Sequence, residues 1–214
     1  MQKSVAVLGL GEFGKSLAEN LYRLGADVLV VDSSESQIQD FAGKCTSAVC
    51  ADLANEEDVI ALGLKNMDIV VTAMGDNLSA SIMSITVAKE QGVPLVVAKS
   101  SSGRMSSILR KVGADEVINP EGKSGEREAR ILMSSSFRDF YELDENLFMV
   151  EMPPREEWVG KSLAELNLRK KKNINVVAEK RTEGSWHFLS PDDPISRDSV
   201  LLIVIEKKNA IMLQ

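Results

Sequence analysis

Val5-Ala-Val-Leu-Gly-Leu-Gly-Glu-Phe-Gly-Lys-Ser16 is the stretch that decides how the rest of the chain is read. Four apolar residues, Val5 to Leu8, run into Gly9, and Phe13, Leu17, Leu21 and Leu24 then recur at helical spacing until Gly25 stops the helix. A buried strand that turns into a helix through Gly9-x-Gly11-x-x-Gly14 offers backbone N–H groups and a helix N-terminus to a pyrophosphate. Carried through Lys15-Ser16, the same residues also satisfy G-x-x-x-x-G-K-[ST], the phosphate-cradling P-loop. Asp32 favours the dinucleotide type. It ends a second apolar strand, Val28 to Val31, about 20 residues past the glycines, where a carboxylate accepts hydrogen bonds from ribose hydroxyls. A P-loop needs a Mg²⁺-binding Asp after a later strand, but strands three and four run into Ala51-Asp52 and Ala73-Met74-Gly75. Asp32 itself follows an apolar run and could serve as that ligand, so the P-loop stays open as the weaker reading.

Outward from this loop the alternation continues. Ala48 to Cys50 reads as a third strand, and Asn55-Glu-Glu-Asp as a helix cap with acids in the first turn, where the helix dipole favours them. Asp68 to Ala73 is a fourth strand and Asn77 to Gln91 a helix with Leu78, Ile82, Ile85 and Ala88 on one face. Val93 to Ala98 is a fifth strand, Ser102 to Val112 a helix, and Glu116 to Ile118 a sixth strand. Strands apolar throughout are buried on both faces, as in parallel sheets covered by helices. The expected fold is therefore α/β, a Rossmann-like doubly wound parallel sheet. Ligands of such sheets bind at the carboxyl ends of the strands. Asp52, the run Met74-Gly75-Asp76, Lys99 and Glu121 all fall there and can line one crevice. A lysine there can pair with phosphate, and a glutamate can hold a divalent cation bridged to phosphates.

The pattern changes after Asn119-Pro120. Ser124 to Phe137, with Ala129, Leu132, Met133 and Phe137 at helical spacing, reads as a long connecting helix. Beyond Asp139 the segments are short and β-rich: Leu147 to Met152, Val176 to Lys180, Trp186 to Leu189 and Val200 to Ile205, with a short helix at Lys161 to Leu166. A β-α-β-β-β unit is expected. The organisation is thus a Rossmann-like domain over 1–120, a crossover helix over 121–138 and a small α+β domain over 139–214.

The chain has 214 residues. At roughly 150 residues per domain that leaves too little for a large catalytic partner domain. Hydrophobic residues at 44%, charged residues at 27% and a mean hydropathy of -0.06 are those of an ordinary globular chain. No apolar run reaches the roughly 18–20 residues of a membrane span, and the start has no cleavage site, so a cytoplasmic protein without direct membrane insertion is expected. A net charge of -7 argues against a nucleic-acid partner. Lys170-Lys-Lys172 reads as a solvated turn or helix end. Cys45 and Cys50 lack a metal pattern and read as buried, reduced thiols. His187 is the single histidine. It leaves zinc sites and Ser-His-Asp chemistry poorly supported. A nicotinamide-dependent reductase would fit the loop and Asp32, but His187 is isolated beside Trp186, and neither Tyr22 nor Tyr141 has a lysine in a catalytic pattern. A P-loop ATPase acting through Lys15 is the weaker enzymatic alternative.

The order of these pieces resembles the RCK family of cytosolic regulators of potassium conductance, of TrkA/KtrA type. GLGEFG, VVD at 30–32, AMGDN at 73–77, VVAKS at 96–100, the stretch from Gly113 to Glu121, and GKSLAELNLRKKKNINVVAEKR at 160–181 carry the resemblance across essentially the whole chain. It implies a cytoplasmic regulatory subunit, not an enzyme, peripheral to the membrane through its partner. It also implies homodimers that assemble into an octameric ring on a membrane potassium channel or transporter. The implied ligands are ATP and ADP in KtrA-like members and NAD(H) in TrkA-like ones. Carried over by position, Gly9, Gly11 and Gly14 face the phosphates, Phe13 in the same loop counts among the ligand-binding residues, and Asp32 with Ser33 holds the ribose. Asp52 and Leu53 flank the adenine, Met74 and Gly75 pass beneath the ligand with Asp76 next in the same loop a ligand-binding residue, and Lys99 lies near the phosphates. Glu121 matches an acidic residue associated with the γ-phosphate or a divalent cation, which makes it the candidate metal ligand. One position departs: KtrA-like proteins carry an arginine toward the terminal phosphate where this chain has Glu12, whose charge repels an additional phosphate. Some members also bind cyclic di-AMP in the C-terminal domain, and Leu168, Arg169, Ile174, Asn175 and Pro191 fall in the matching region.

Overall fold

A computed structural model describes residues 2–181 and 184–209, and the chain divides into two compact units, Met1–Gly122 and Lys123–Gln214. The expected end of the small domain at 210–214 lies outside the described residues.

The first unit is built on strands β1 (Ser4–Leu8), β2 (Asp27–Asp32), β3 (Ser47–Cys50), β4 (Ile69–Thr72), β5 (Leu95–Lys99) and β6 (Glu116–Ile118). They form one parallel sheet in the order β3-β2-β1-β4-β5-β6. Alternation along β1 explains the two-sided burial. Val5 and Val7 pack with α1 (Glu12–Arg23) and α2 (Glu35–Phe41) through Ala18, Ile38 and Phe41. Ala6 and Leu8 face the other layer, where α3 (Glu56–Ala61), α4 (Leu78–Glu90) and α5 (Gly103–Val112) contribute Val59, Ile85 and Leu109. Caps mark the helix starts as the residue types dictate: Asn55, Asn77 and Ser102 each accept a hydrogen bond from a first-turn N–H.

Edge position corrects one expectation. β3 is paired on one side alone and is mostly exposed, so Cys50 at its end is exposed, whereas Cys45 is buried and its thiol is pushed up by burial.

The connecting helix begins one residue before the expected crossover boundary at 121, ahead of the apolar spacing, and ends earlier than expected. α6 spans Pro120–Met133, not 124–137. Proline is preorganised for the first helical position, and the Asn119 side chain accepts the Gly122 N–H at 2.9 Å. At the other end the Ser134 hydroxyl accepts the N–H groups of Ser136 and Phe137 and closes the helix. The apolar stripe reads differently too. Ile131 packs on the core of the second unit, but Leu132 and Met133 are 80% and 84% exposed.

The second unit is a five-stranded antiparallel sheet in the order β10-β9-β11-β8-β7. Its strands are β7 (Asp139–Glu142), β8 (Leu147–Met152), β9 (Ile174–Arg181), β10 (His187–Phe188) and β11 (Ser199–Glu206). One more strand is present than the sequence pattern suggests. β7 is four residues with a single buried position, Phe140, and it becomes a strand because Asp144 accepts the N–H groups of Asn146 and Leu147 and folds the hairpin onto β8. Phe148, Val150 and Met152 of β8 and Leu201, Ile203 and Ile205 of β11 line one face with Trp158 and Ile195. Helix α7 (Leu163–Leu166) carries a capping box between Ser162 and Glu165. A further short helix, α8 (Leu168–Lys172), places the lysine run on an exposed helix end between Asn167 and Asn173, both left-handed. Among the described residues no helix is long and apolar enough to cross a membrane.

Candidate functional site

The strand order reverses between β1 and β4, and the loops leaving the carboxyl ends of these two strands open the crevice in which such sheets hold ligands. The chain leaves β1 through Gly9 at φ +102°, a conformation that a side chain would strain. Gly9 donates its N–H to the Val31 carbonyl at 2.7 Å, and Ala73 donates to the Leu8 carbonyl at 2.7 Å, so the loop is fastened to both neighbouring strands. A Cβ at Gly9 would come within 2.6 Å of Met74 Cγ, and one at Gly14 would overlap the Gly9 carbonyl. Gly11 is different: it is the exposed N-cap residue of α1, and a Cβ there would meet nothing within 4 Å. The close packing at Gly9 and Gly14 shapes the turn, while the side of the loop at Gly11 stays open for a ligand.

Asp32 closes the loop from the β2 side. Its Oδ2 accepts the Leu10 N–H at 2.7 Å and its Oδ1 accepts the Ser34 N–H at 2.9 Å. An ionised carboxylate has about four acceptor positions. Asp32 therefore holds the glycine loop in place and retains capacity for ribose hydroxyls. Ser33 beside it is exposed. Asp52 is exposed after β3, its carboxylate accepting the Ala54 N–H at 2.9 Å. The Leu53 side chain is buried in the core, so Asp52 alone of that pair is exposed.

After β4, Met74 is half-buried, Gly75 is buried and Asp76 is exposed. Ser101 donates its hydroxyl to the Gly75 carbonyl at 3.0 Å. Lys99 ends β5 with a side chain only 15% exposed, and its ammonium reaches Glu121 Oε1 at 2.6 Å. The same ammonium lies 5.8 Å from the centre of the Phe13 ring, in the first turn of α1. A Cβ at Gly75 would touch the Lys99 side chain at 3.2 Å. Lys99 thus joins the glycine loop, the β4 loop and the start of α6. The Lys99 hydrogen bond holds the Glu121 carboxyl below the usual carboxylate range.

Of the residues expected from sequence, Gly9, Phe13, Gly14, Asp32, Met74, Gly75, Lys99 and Glu121 belong to this crevice through direct contacts. Ser33, Asp52 and Asp76 sit exposed at neighbouring strand ends, and Glu12 is exposed in the first turn of α1. Ser101 and Asn119 also contribute, and the sequence pattern does not mark them, because one acts on a carbonyl and the other on a helix start. Among the described residues no group of three or more His, Cys, Asp and Glu side chains could hold a metal ion. The chemistry offered by the crevice is anion and sugar binding.

In the second unit Leu168, Arg169, Ile174, Asn175 and Pro191 line a single cavity of about 200 Å³. The Ala164 N–H donates to the Pro191 carbonyl at 2.9 Å and fixes one wall. Leu168 and Ile174 form its buried floor, and Arg169 and Asn175 stand exposed.

Comparison with known proteins places these features in context. Residues 5–120 match the TrkA-N domain and residues 147–214 the TrkA-C domain. The chain is 34% identical to the Ktr system potassium uptake protein C of Bacillus subtilis over 206 residues, covering 95% of this chain and 92% of that protein. It is 36% identical to the Ktr system potassium uptake protein A of Vibrio alginolyticus over 203 residues, covering 95% and 91%. Among solved structures it is similar in fold to the GsuK channel bound to NAD, with a TM-score of 0.66 at 14% identity, covering 98% of this chain and 38% of that one.

Proposed function

This chain belongs to the RCK family of potassium-uptake regulatory proteins built from a TrkA-N and a TrkA-C domain, and from that premise we propose that it senses a nucleotide and gates a membrane potassium transporter. It is a regulatory protein, not an enzyme. The ligand is an adenine nucleotide or NAD(H), held with its phosphates against Gly9, Gly11 and Gly14 and its ribose on Asp32 and Ser33. Asp52 flanks the adenine, Met74 and Gly75 lie beneath, and Lys99 meets the phosphates. The observation that carries this reading is Asp32, whose carboxylate holds the glycine loop through Leu10 and keeps acceptors free for a sugar. Glu12 in the first turn of α1 disfavours a third phosphate, which selects ADP or NAD(H) over ATP.

The partner is a membrane potassium channel or transporter, contacted from the cytoplasmic side. The exposed Leu132 and Met133 on α6 suit pairing with a second copy, the first step toward an octameric ring. Gating requires that the ligand favour one of two conformations, since equal affinity for both shifts nothing. The cavity at Leu168, Arg169, Ile174, Asn175 and Pro191 supports a second ligand, cyclic di-AMP, because the segment 168–175 and the distant Pro191 line one cavity with a buried apolar floor and exposed polar side chains.

The test is calorimetry of the purified protein with ADP, ATP and NADH, followed by potassium flux through the partner transporter in liposomes. Saturable binding that changes flux supports the proposal. Failure of all three nucleotides to bind overturns it.

A further inference from the structure

The loop after β4 has its carbonyls held from two sides. The Met74 carbonyl accepts the Asn77 N–H at 3.2 Å, and the buried Ser81 hydroxyl of α4 bridges it, at 3.0 Å, to the Asn77 carbonyl at 2.8 Å. The next carbonyl, that of Gly75, accepts the Ser101 hydroxyl at 3.0 Å. Among the described residues that hydroxyl has one other acceptor, the weakly accepting Met105 sulfur at 3.6 Å. Ser101 sits on a firm base. Before it, the Ser100 N–H donates to the Ile118 carbonyl at 2.8 Å, and the buried Ser100 hydroxyl donates to the Ser102 carbonyl at 2.7 Å. Behind it, Ser102 caps α5.

Across a trans peptide a carbonyl and the following N–H point in opposite directions, and every described peptide here is trans. With the Met74 and Gly75 carbonyls turned toward α4 and the start of α5, the N–H groups of Gly75 and Asp76 face the other way. Among the described residues neither N–H has an acceptor. Both stand beside a cation and the glycine loop: a Cβ on Gly75 would lie 3.4 Å from the Lys99 ammonium nitrogen, and a Cβ on Gly9 would lie 2.6 Å from Met74 Cγ. Backbone donors next to an ammonium suit an anionic oxygen. Resting on the nucleotide reading above, we infer that Ser101 is a positioning residue for the ligand: its bond to the Gly75 carbonyl aims the Asp76 N–H, together with that of Gly75, at a phosphate oxygen of the bound nucleotide. Ser101 itself touches no ligand. What it fixes is the direction of a donor, and the loop keeps its attachment to α4 through Asn77 and Ser81 when the Ser101 hydroxyl is removed.

The test compares wild type, Ser101→Ala and Ser101→Thr in the full chain. ADP and NADH affinities are measured by calorimetry, and the amide resonances of Gly75 and Asp76 are followed in proton–nitrogen correlation spectra as each nucleotide is added. In wild type both amide protons are expected to move downfield at saturation, as they do on forming a hydrogen bond to an anionic oxygen. Ser101→Ala is expected to weaken both nucleotides by roughly three- to tenfold, the scale of one hydrogen bond, and to reduce the movement of the Asp76 amide at saturating nucleotide. Ser101→Thr keeps the hydroxyl and should restore both the affinity and the amide movement to within about twofold of wild type. Wild-type affinity in Ser101→Ala overturns the inference. So does weakened affinity with an unchanged Asp76 movement, because the hydroxyl would then support the loop without aiming the donor. Failure of threonine to restore binding overturns it as well. A wild-type protein that binds neither nucleotide overturns the nucleotide reading and this inference together, whereas binding that leaves the Asp76 amide unmoved overturns this inference alone.

Discussion

The Asp32 carboxylate accepts the backbone N–H of Leu10 at 2.7 Å, so the residue proposed to hold the ribose also fixes the glycine loop. Binding and loop structure are therefore not separable at this position. Asp32→Ala removes a charged acceptor from two backbone donors, those of Leu10 and Ser34. A cost of about 1–3 kcal/mol in stability is expected, with at least a tenfold loss of nucleotide affinity. Asp32→Asn keeps one acceptor oxygen and should recover part of the stability but less of the affinity. Urea denaturation and calorimetry on the two variants check this, and an Asp32→Ala protein with wild-type affinity would remove Asp32 from the site.

Gly14 packs its Cα against the Gly9 carbonyl with no room for a methyl group. Gly14→Ala must push α1 away from the end of β1, an overpacking cost of about 1–3 kcal/mol. Gly11→Ala, with nothing within 4 Å of the added Cβ, is expected to leave stability nearly unchanged. Both variants should weaken nucleotide binding, the first through a displaced helix start and the second through a methyl group in the phosphate path. Thermal unfolding separates them, because only Gly14→Ala lowers the midpoint.

Two aspartates of the first unit are expected to contribute to an acid sensitivity. Asp68 accepts the Ser4 N–H at 2.8 Å, and Asp115 accepts the Val96 N–H at 2.7 Å along with the Lys89 ammonium. Backbone hydrogen bonds, aided by Ser4 and Lys89 respectively, lower both carboxyls below their ordinary value. A carboxyl whose folded pKa is depressed adds stability above its unfolded pKa of about 4, and that stability is lost as pH falls through the lower folded value. The urea midpoint should be flat from neutral pH down to about 5 and then fall. Asp115→Asn should cost about 1 kcal/mol or less at pH 7, given its solvent exposure, and the gap to wild type should narrow as pH falls below the unfolded value of about 4 toward the depressed folded one.

How far these features were legible in the sequence depends on the physics behind each. The sheet of the first unit was readable because Val5 to Leu8 and Val28 to Val31 are apolar on both faces, a signal that only two-sided burial produces. Lys99 was readable as a strand-end cation. The exact start of the helix that carries its partner Glu121 is less legible, since it depends on Asn119 and Pro120 acting together and not on hydrophobic spacing. β7 was missed for a related reason: its pairing rests on the Asp144 turn, and one buried Phe140 gives no alternation to detect. The Leu10 N–H and the Gly75 carbonyl that Ser101 bonds are backbone groups, which every residue carries, so no residue type announces these contacts.

Trp158 is 1% exposed at the centre of the second core, with Phe148, Ile195 and Leu201 in the same cluster. Trp158→Ala should destabilise the second unit by about 3–5 kcal/mol through lost burial and the cavity left behind. Both tryptophans, Trp158 and Trp186, lie in that unit, so fluorescence follows its unfolding, and in the variant the emission of Trp186 remains as the probe. Circular dichroism, dominated by the helices of the first unit, should still show a transition for the sheet around β1. Loss of both signals at one common midpoint would mean that the two units unfold as one.

Glu12 supplies the sharpest test of ligand choice. It stands exposed in the first turn of α1, the turn whose N–H groups a phosphate chain would approach. A carboxylate near the last phosphate costs on the order of 1 kcal/mol at solvent-like dielectric, and a triphosphate carries its extra charge where a diphosphate has none. Glu12→Gln should therefore raise ATP affinity by roughly fivefold while changing ADP and NADH affinity by less than about twofold. Raising the salt concentration should shrink the ATP effect, because an exposed charge is screened over about 10 Å at 0.1 M. If Glu12→Gln strengthens all three ligands equally, the side chain acts on the shared diphosphate and does not discriminate against the third phosphate. If ATP already binds the wild type more tightly than ADP, selection by Glu12 is excluded outright.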